Sequence, residues 1–128
     1  MEWYTPEWIF DKLKLEFDID VCAPEGGIDY IPAKKHFSIK DDGLIQKWEG
    51  KVWCNPPFCE ASKWMKRFHE HGNGVALVPV SKTRWFDRFI EDPKARIEIL
   101  PSTLLFLHDG KMCDVRSPCC LIHMGECI

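Results

Sequence analysis

The feature that most restricts the fold is a regular alternation of short apolar segments with amphipathic segments after Gly50. The apolar segments 51–55, 74–80 and 96–100 have the length of strands, and the segments 61–71 and 82–91 between them have the residue spacing of helices. Strands that are apolar along their whole length and alternate with helices are typical of a parallel sheet covered on both faces. The sequence therefore predicts an α/β fold with a mostly parallel sheet flanked by helices.

The N-terminal part of the chain adds a helix and a strand to this pattern. Thr5 and Pro6 predict the start of a helix, with Thr5 as the N-cap and Pro6 as the first helical residue. The alternating segment 17–23 predicts a strand that ends in the turn 24–27. Two further elements are expected before the regular part, a short strand near 36–39 and a helical turn at 42–48.

The C-terminal part predicts a different kind of ending. Residues 104–107, the turn 108–111 and the segment 119–124 indicate a hairpin-like ending whose last strand is an antiparallel strand at the edge of the sheet. The chain shows no internal repeat, linker or low-complexity segment. We therefore expect residues 1–128 to form a single domain.

The charge of the chain restricts how it can meet nucleic acid. A formal net charge of −3 gives no overall attraction to phosphates, so any such contact depends on local groups of cations. Two predicted helices carry such groups, although a solvated helix face would look the same in sequence. The cations are Lys63, Lys66 and Arg67 on the first helix and Lys82, Arg84 and Arg88 on the second.

The cysteine pattern indicates the cell compartment. Seven cysteines are an odd number without a regular paired framework, which favours reduced thiols. No leader pattern follows Met1, and the apolar runs are too short to cross a bilayer. We therefore expect a cytoplasmic protein without a membrane partner. Cys119 and Cys120 are adjacent, so on a strand they point to opposite faces and lack the two-residue gap that is usual between zinc ligands; no metal site is predicted.

Asn55, Pro56, Pro57 and Phe58 carry the clearest chemical signal. The prolines fix the backbone and remove two N–H donors, so acceptors are in surplus. The Asn55 side-chain oxygen and a neighbouring main-chain carbonyl can accept both hydrogens of a planar amino group, and the Phe58 ring offers a face for stacking. Such a site suits alkyl transfer to an exocyclic amine of a base or to an amide nitrogen. A proline-rich turn with an aromatic in the core is the structural alternative.

Ligands of open parallel sheets bind at the carboxyl ends of the strands. This rule puts residues 20–23, 55–58 and 79–83 along one edge of the predicted sheet. We therefore expect the acceptor-rich motif to face a ligand that is bound beside Asp20.

The ordered motifs of the chain resemble the phage N-6-adenine DNA methyltransferase (Dam-like) family. The resemblance covers nearly the whole chain, and its motifs are EWYTP at 2–6, FDIDVCA at 17–23, DDGL at 41–44, WCNPPF at 53–58 and TRWF at 83–86. It implies a small Rossmann-like methyltransferase that uses S-adenosylmethionine and methylates adenine in DNA. Origin from a phage or prophage in a bacterial cell is implied as well.

The resemblance also implies roles for individual residues. Thr5 would cap a helix whose free N–H groups bind the carboxylate of the cofactor, and Asp20 would meet its ammonium group, with an ordinary N-cap and a solvated strand end as the alternatives. Asp41 and Asp42 would contact the adenine or ribose of the cofactor, against ordinary turn formation, and Arg84 would contact phosphate. The implied cofactor-binding residues are Tyr4, Thr5, Pro6, Asp20, Cys22, Ala23, Asp41 and Asp42, the catalytic residues are Asn55, Pro56, Pro57 and Phe58, and the substrate-binding residues are Lys82, Arg84 and Trp85.

The chain departs from the wider methyltransferase pattern in two respects. The glycine-rich loop after the first strand is reduced to residues 24–27, and no insert is long enough to form a separate recognition domain. A flipped or single-stranded adenine is therefore expected as substrate, with a homodimer or a partner as a way to hold DNA. Methylation of an RNA base or of a protein glutamine amide stays open, as does a degenerate cofactor-binding module without catalysis.

Overall fold

The structure is a computed structural model that describes residues 5–100, 105–108, 111–114 and 118–127. The described helices are α1 (Glu7–Leu13), α2 (Ala61–His71) and α3 (Arg84–Glu91), with 3-10 turns at Phe58–Glu60 and Gly125–Cys127. The described strands are β1 (Phe17–Asp20), β2 (Ala33–His36), β3 (Val52–Cys54), β4 (Gly74–Pro79), β5 (Ala95–Ile99), β6 (Leu105–His108), β7 (Lys111–Asp114) and β8 (Cys119–Met124).

Six of these strands form one mixed sheet in the order β2-β1-β3-β4-β8-β5. The pairs β1 with β2, β1 with β3 and β3 with β4 are parallel, whereas β8 is antiparallel to both β4 and β5. Helices flank the sheet, so the predicted α/β class with a mostly parallel sheet is confirmed. This architecture is compatible with a methyltransferase fold.

The last strand lies inside the sheet, so the prediction of an antiparallel edge strand is wrong in its position. β8 is antiparallel as predicted, but it pairs with β4 on one side and β5 on the other, and β5 forms the edge. All six residues of β8 are buried, whereas Ile99 of β5 is 60% exposed. A continuous apolar strand of this kind is stabilised by neighbours on both sides, which an edge does not provide.

Two apolar clusters cover the two faces of the sheet. The first cluster lies between the sheet and helices α2 and α3 and includes Trp64, Phe68 and Phe89. The second cluster lies on the α1 side, where Trp53 contacts Phe10 with ring centroids 4.7 Å apart. Helix α2 spans the predicted segment 61–71 and turns its apolar residues toward the first cluster. Among the described residues, no helix has the length and hydrophobicity needed to cross a bilayer.

Several predicted elements differ from the observed ones at their ends. Helix α1 begins at Glu7, with Pro6 rather than Thr5 at the N-cap and no side-chain capping bond. Strand β2 precedes the predicted segment 36–39, because Ala33, Lys35 and His36 pair with β1. The segment 42–48 forms turns and no helix. In each case contacts with distant parts of the chain decide the local conformation.

The connection from β5 to β8 leaves and rejoins the sheet at the same end of the strands as the carboxyl end of β4. Ile99 and Pro79 both lie beside the start of β8, since Ile99 pairs with Cys120 and Pro79 with Cys119. Within this connection β6 and β7 pair with each other as a separate two-stranded antiparallel sheet. The hairpin therefore has a different second strand from the predicted one, since β6 pairs with β7 while the segment 119–124 joins the large sheet as β8. Residues 109–110, in the predicted turn, lie outside the described residues.

Candidate active site

The candidate site lies at the carboxyl ends of β1 and β3. Asp20 is the last residue of β1, and Asn55 follows the last residue of the adjacent strand β3. Both residues, together with Thr5, line one cleft. The alternation of strands and helices thus brings together three residues that are up to fifty positions apart in sequence.

Asp20 is a buried carboxyl group on the wall of this cleft. Its side chain is only 3% exposed, and the described hydrogen bond to it comes from the backbone N–H of Cys22, with 3.3 Å between the nitrogen and Oδ1. Burial raises the pKa of Asp20 to about 7, because removal of water penalises the charged form more than the Cys22 bond favours it. A cation that bound in the cleft would stabilise the ionised carboxylate and restore its ordinary charge at neutral pH.

Asn55 is held by a residue from the N-terminal segment. Its Nδ2 donates a hydrogen bond of 2.8 Å to Oγ1 of Thr5, which is 1% exposed. This bond fixes the plane of the amide. Thr5 therefore acts as a partner for Asn55, and the prediction that Thr5 caps helix α1 is wrong.

The two prolines after Asn55 also line the cleft, whereas the aromatic residue does not. Pro56 is buried, and Pro57 lies at the boundary between this cleft and a neighbouring cavity. Phe58 is half-buried and packs against the cluster on the α1 side. Asn55, Pro56 and Pro57 thus form one wall of the cleft, and Phe58 begins the short 3-10 turn Phe58–Glu60.

The loop after β1 closes the cleft from the side of α1. The hydroxyl of Tyr30 donates a hydrogen bond to the backbone carbonyl of Thr5, and Ile28 and Ile31 contribute apolar walls. Burial, with a smaller contribution from Glu7, raises the pKa of the Tyr30 hydroxyl. Tyr30 therefore stays a neutral donor that ties this loop to the N-terminal segment.

A second cavity of about 870 Å³ adjoins the cleft and shares two of its walls, Cys22 and Pro57. Its other walls include Ala23, from the turn after β1, and Asp42. We call the two adjoining spaces together the groove; Asp20 and Asn55 line the cleft, and Asp42 lines the second cavity.

Three contacts hold the loop that carries Asp42. Gly43 lies so close to β1 that a Cβ atom there would be 2.0 Å from the carbonyl oxygen of Val21. The indole nitrogen of Trp48 donates to the Gly43 carbonyl at 2.8 Å, and Nη2 of Arg67 donates to the Gln46 carbonyl at 2.9 Å. The guanidinium of Arg67 also stacks over the Trp48 ring, 4.9 Å from its centroid. Arg67, predicted as a nucleic-acid contact, is therefore engaged in holding this loop.

The two aspartates of this loop occupy different places. The carboxylate of Asp41 accepts a 2.8 Å bond from the backbone N–H of Ser38, and Asp41 does not line the cavity. Asp42 lines the cavity in a left-handed conformation with φ of 54°, and its Oδ1 accepts from the backbone N–H of Leu44. Both side chains thus stabilise turns, and Asp42 alone also faces the cavity.

Two thiols lie near Asp20. Cys22 is half-buried and lines both spaces, whereas Cys54 is fully buried. Burial, with smaller contributions from Cys22 and Asp20, raises the pKa of the Cys54 thiol. Cys54 therefore stays protonated and packs as a small apolar residue.

The remaining predicted residues lie outside the groove. Lys82 and Arg84 are exposed near the start of α3, and Trp85 is half-buried against the first cluster. Pro6 is buried at the start of α1 and does not line the cleft. Tyr4 lies outside the described residues.

The comparisons with known proteins agree with this arrangement. A family model described as DNA N-6-adenine-methyltransferase (Dam) matches residues 2–118. The chain belongs to this family. The match extends from the segment that contains Thr5 to the end of the connection before β8, so the whole groove of this Dam family member lies within it. No curated protein matches the chain.

Some walls of the groove in this Dam family member were not predicted from sequence. Ile28 and Ile31 follow the reduced glycine loop, and Lys63 on α2 lines the second cavity. A sequence signal exists for the first two, since they are apolar residues in an otherwise polar loop between Pro24 and Pro32. Lys63 belongs to the cations of α2 that the sequence offers as nucleic-acid contacts, and no local pattern distinguishes it from Lys66.

Proposed function

We propose that this protein methylates the exocyclic amino group of adenine in DNA with S-adenosylmethionine as methyl donor, on a Rossmann-like methyltransferase domain. The observation that carries the proposal is the hydrogen bond from Asn55 to Thr5 beside the buried carboxyl of Asp20. One cleft thus holds an oriented amide that can accept from the substrate amine, Asn55, and a buried carboxyl that can bind a cation, Asp20. Family membership supplies the substrate class, adenine in DNA.

The residues of the groove fit the cofactor. S-adenosylmethionine supplies an electrophilic methyl group on a sulfonium sulfur when it is bound. Asp20 is 3% exposed, and burial raises its pKa to about 7. An ammonium group bound beside it would stabilise the ionised carboxylate. Asp42 lies in the adjoining cavity, where a carboxylate suits hydroxyl groups of a ribose. Ala23 and Cys22 provide walls between these two carboxyl groups.

Asn55 and Pro56 orient the substrate amine in this proposal. The Oδ1 of Asn55 and the carbonyl of Pro56 accept its two hydrogens, and the bond from Nδ2 to Thr5 keeps Oδ1 in place. Two acceptors on one amine direct the nitrogen lone pair away from them, toward the cofactor side of the cleft. An amide does not take up a proton at neutral pH, so the proton of the methylated amine leaves to solvent. Positioning is therefore the main catalytic contribution of these residues.

The substrate face of the site has two further proposed parts. Phe58 is the proposed stacking partner of the adenine. Its half-buried ring packs against the cluster on the α1 side and does not line the cleft, so stacking requires the ring to turn one face toward the base. Lys82, Arg84 and Trp85 follow β4 at the same edge of the sheet and contact the DNA around the base.

A comparison of Asn55→Ala with Asn73→Ala tests the proposal. Asn73 precedes β4 at the opposite end of that strand, so it gives the same chemical change away from the cleft. We expect Asn55→Ala to lower kcat at least 100-fold, with the dissociation constant for S-adenosylmethionine within about threefold of wild type, because the lost contacts serve the transition state. Loss of cofactor binding together with turnover in Asn55→Ala would instead assign Asn55 a structural role.

The substrate class is tested by methyl incorporation from labelled cofactor into DNA, RNA and a glutamine-containing protein side by side. Incorporation into DNA alone supports the proposal, and incorporation into RNA or protein alone replaces DNA as the substrate. A shift of the melting temperature by cofactor without incorporation into any substrate would indicate a binding module without catalysis. No shift at cofactor concentrations far above a micromolar dissociation constant would refute the enzyme assignment.

A further inference from the structure

The charges of this chain are unevenly distributed. Residues 61–91 contain six cations and three acids, a net charge of +3, whereas the whole chain carries −3, so the remainder carries −6. Helices α2 and α3 lie within this segment and cover the same face of the sheet. A locally positive surface on an acidic protein concentrates the attraction for a polyanion on one face.

Two of these cations line a different space, the groove between helices α2 and α3. Lys66 and Arg88 are exposed and line a space of about 340 Å³, with the half-buried Trp85 also on its wall. Within the described residues neither cation takes part in an ion pair, and Glu70 is the acid on the groove wall. Elsewhere the described lysines with an acidic partner are Lys12, Lys34, Lys40 and Lys47.

Both helices start from the end of the sheet that carries the active site. Helix α2 follows the Asn55 motif and α3 follows β4, so both helices begin at that end. Lys82 and Arg84 are exposed where α3 begins, and Arg88 lies about 6 Å further along the helix axis. The exposed cations therefore form a row that leads from the active site along the helices.

We propose that this row, and Lys66 and Arg88 in particular, binds the phosphodiester backbone of the DNA substrate outside the methylated adenine. The inference rests on the proposed function, since it gives a place to the part of the DNA that the cleft does not hold. Unpaired guanidinium and ammonium groups beside an aromatic wall suit phosphates and sugars of a nucleic-acid strand. Arg67 takes no part in this surface because it binds the loop at Gln46.

The double variant Lys66→Glu/Arg88→Glu tests the inference against the control Lys34→Glu/Lys94→Glu. Both pairs change the net charge by the same amount, and Lys34 and Lys94 lie on β2 and in the turn before β5. The measurement is the dissociation constant for an adenine-containing duplex between 50 and 200 mM salt, with S-adenosylhomocysteine present.

We expect the groove variant to reduce the slope of log affinity against log salt by about 1.8, because each lost phosphate contact removes about 0.9. The ratio of wild-type to variant affinity then falls about twelvefold from 50 to 200 mM salt. At saturating DNA kcat stays at the wild-type value while KM for DNA rises, since the lost contacts do not depend on the transition state. Cofactor binding stays unchanged, which shows that the variant is folded.

Three results would overturn the inference. Equal slopes for wild type and groove variant exclude the surface as a phosphate site, and an equal loss in the control variant assigns the effect to net charge. In both cases methylation of DNA by the wild type leaves the proposed function intact. A wild type that binds the cofactor but neither binds nor methylates DNA would remove the inference and the proposed substrate together.

Discussion

Replacing Asp20 by asparagine is expected to stabilise the fold and to weaken cofactor binding. The pKa of Asp20 is raised from 3.8 to about 7 by burial, a shift of roughly three units. At 1.36 kcal/mol per unit, keeping this carboxylate ionised at pH 8 costs about 4 kcal/mol of folding free energy. Asparagine has no charge to desolvate, and its oxygen still accepts the hydrogen bond from the N–H of Cys22.

The sign of the effect follows from proton binding. Well below pH 3.8 the carboxyl is protonated in both the folded and the unfolded chain, so it does not change the free energy of unfolding there. Between pH 4 and 7 the unfolded chain releases its proton first, and the free energy of unfolding therefore falls as the pH rises. Above pH 7 the folded protein bears the full free-energy penalty for the ionised Asp20. The advantage of Asp20→Asn should thus be near zero at pH 4 and reach about 4 kcal/mol at pH 8.

Urea denaturation of wild type and Asp20→Asn from pH 4 to 8.5 measures this difference. Asp18→Asn on the same strand is the matched control, because the backbone N–H of Lys51 lowers the pKa of Asp18 and its replacement should destabilise above pH 4. A stability difference between wild type and Asp20→Asn that is absent at pH 8, or that does not change with pH, would refute the reasoning.

Cofactor binding should change in the opposite direction. The ionised carboxylate is the form that pairs with an ammonium group, so wild-type affinity for S-adenosylmethionine is expected to rise up to tenfold per pH unit below 7 and to level off above it. Asp20→Asn should bind more weakly at pH 8 and lose this pH dependence. Isothermal titration at several pH values gives both results, and equal affinity of the two proteins at pH 8 would exclude Asp20 as the ammonium partner.

Two further substitutions test the residues that position the site. Thr5→Val removes the acceptor for Asn55 Nδ2 in a buried place, so we expect the free energy of unfolding to fall by about 1–3 kcal/mol and kcat to fall at least fivefold. Thr5→Ser keeps the hydroxyl and should keep wild-type stability and kcat. An unchanged kcat in Thr5→Val would show that Asn55 needs no support from Thr5. Arg67→Ala releases the loop at Gln46, so we expect KM for S-adenosylmethionine to rise severalfold while kcat stays at the wild-type value. Arg67→Lys should restore part of the affinity. A wild-type KM in Arg67→Ala would show that the loop is held without Arg67.

The sequence predicts the parts of this fold that depend on local periodicity. Helix α2 spans the predicted segment 61–71 because its apolar spacing and Gly72 with φ of 72° define both ends. The place of β8 inside the sheet depends on pairing with β4 and β5, which are far away in the chain, and no local pattern encodes that order. The location of the site at the carboxyl ends of the strands is predictable, because adjacent parallel strands bring the residues at their ends, Asp20 and Asn55, close together.

Side-chain partners were the part that sequence could not supply. Thr5 followed by Pro6 satisfies every local criterion for a helix N-cap, yet its hydroxyl binds Asn55, fifty residues later. Asp41 and Asp42 are equivalent in sequence, and only the turn geometry directs one carboxylate to Ser38 and the other toward the cavity. Local propensity is weak compared with a buried hydrogen bond of this kind, so tertiary contacts decide.

Three features that cost stability lie at the end of the sheet where the proposed chemistry takes place. Asp20 is a desolvated carboxyl, the two prolines after Asn55 remove backbone donors at the end of an inner strand, and Asp42 has a left-handed backbone. None of these is needed to close the sheet, whose strands pair through β1, β3, β4 and β8. Such a concentration is expected where binding energy from a ligand offsets the cost, because a ligand that prefers the ionised Asp20 adds to stability what burial removes. The same end of the sheet should therefore gain most in protection from hydrogen exchange when the cofactor binds.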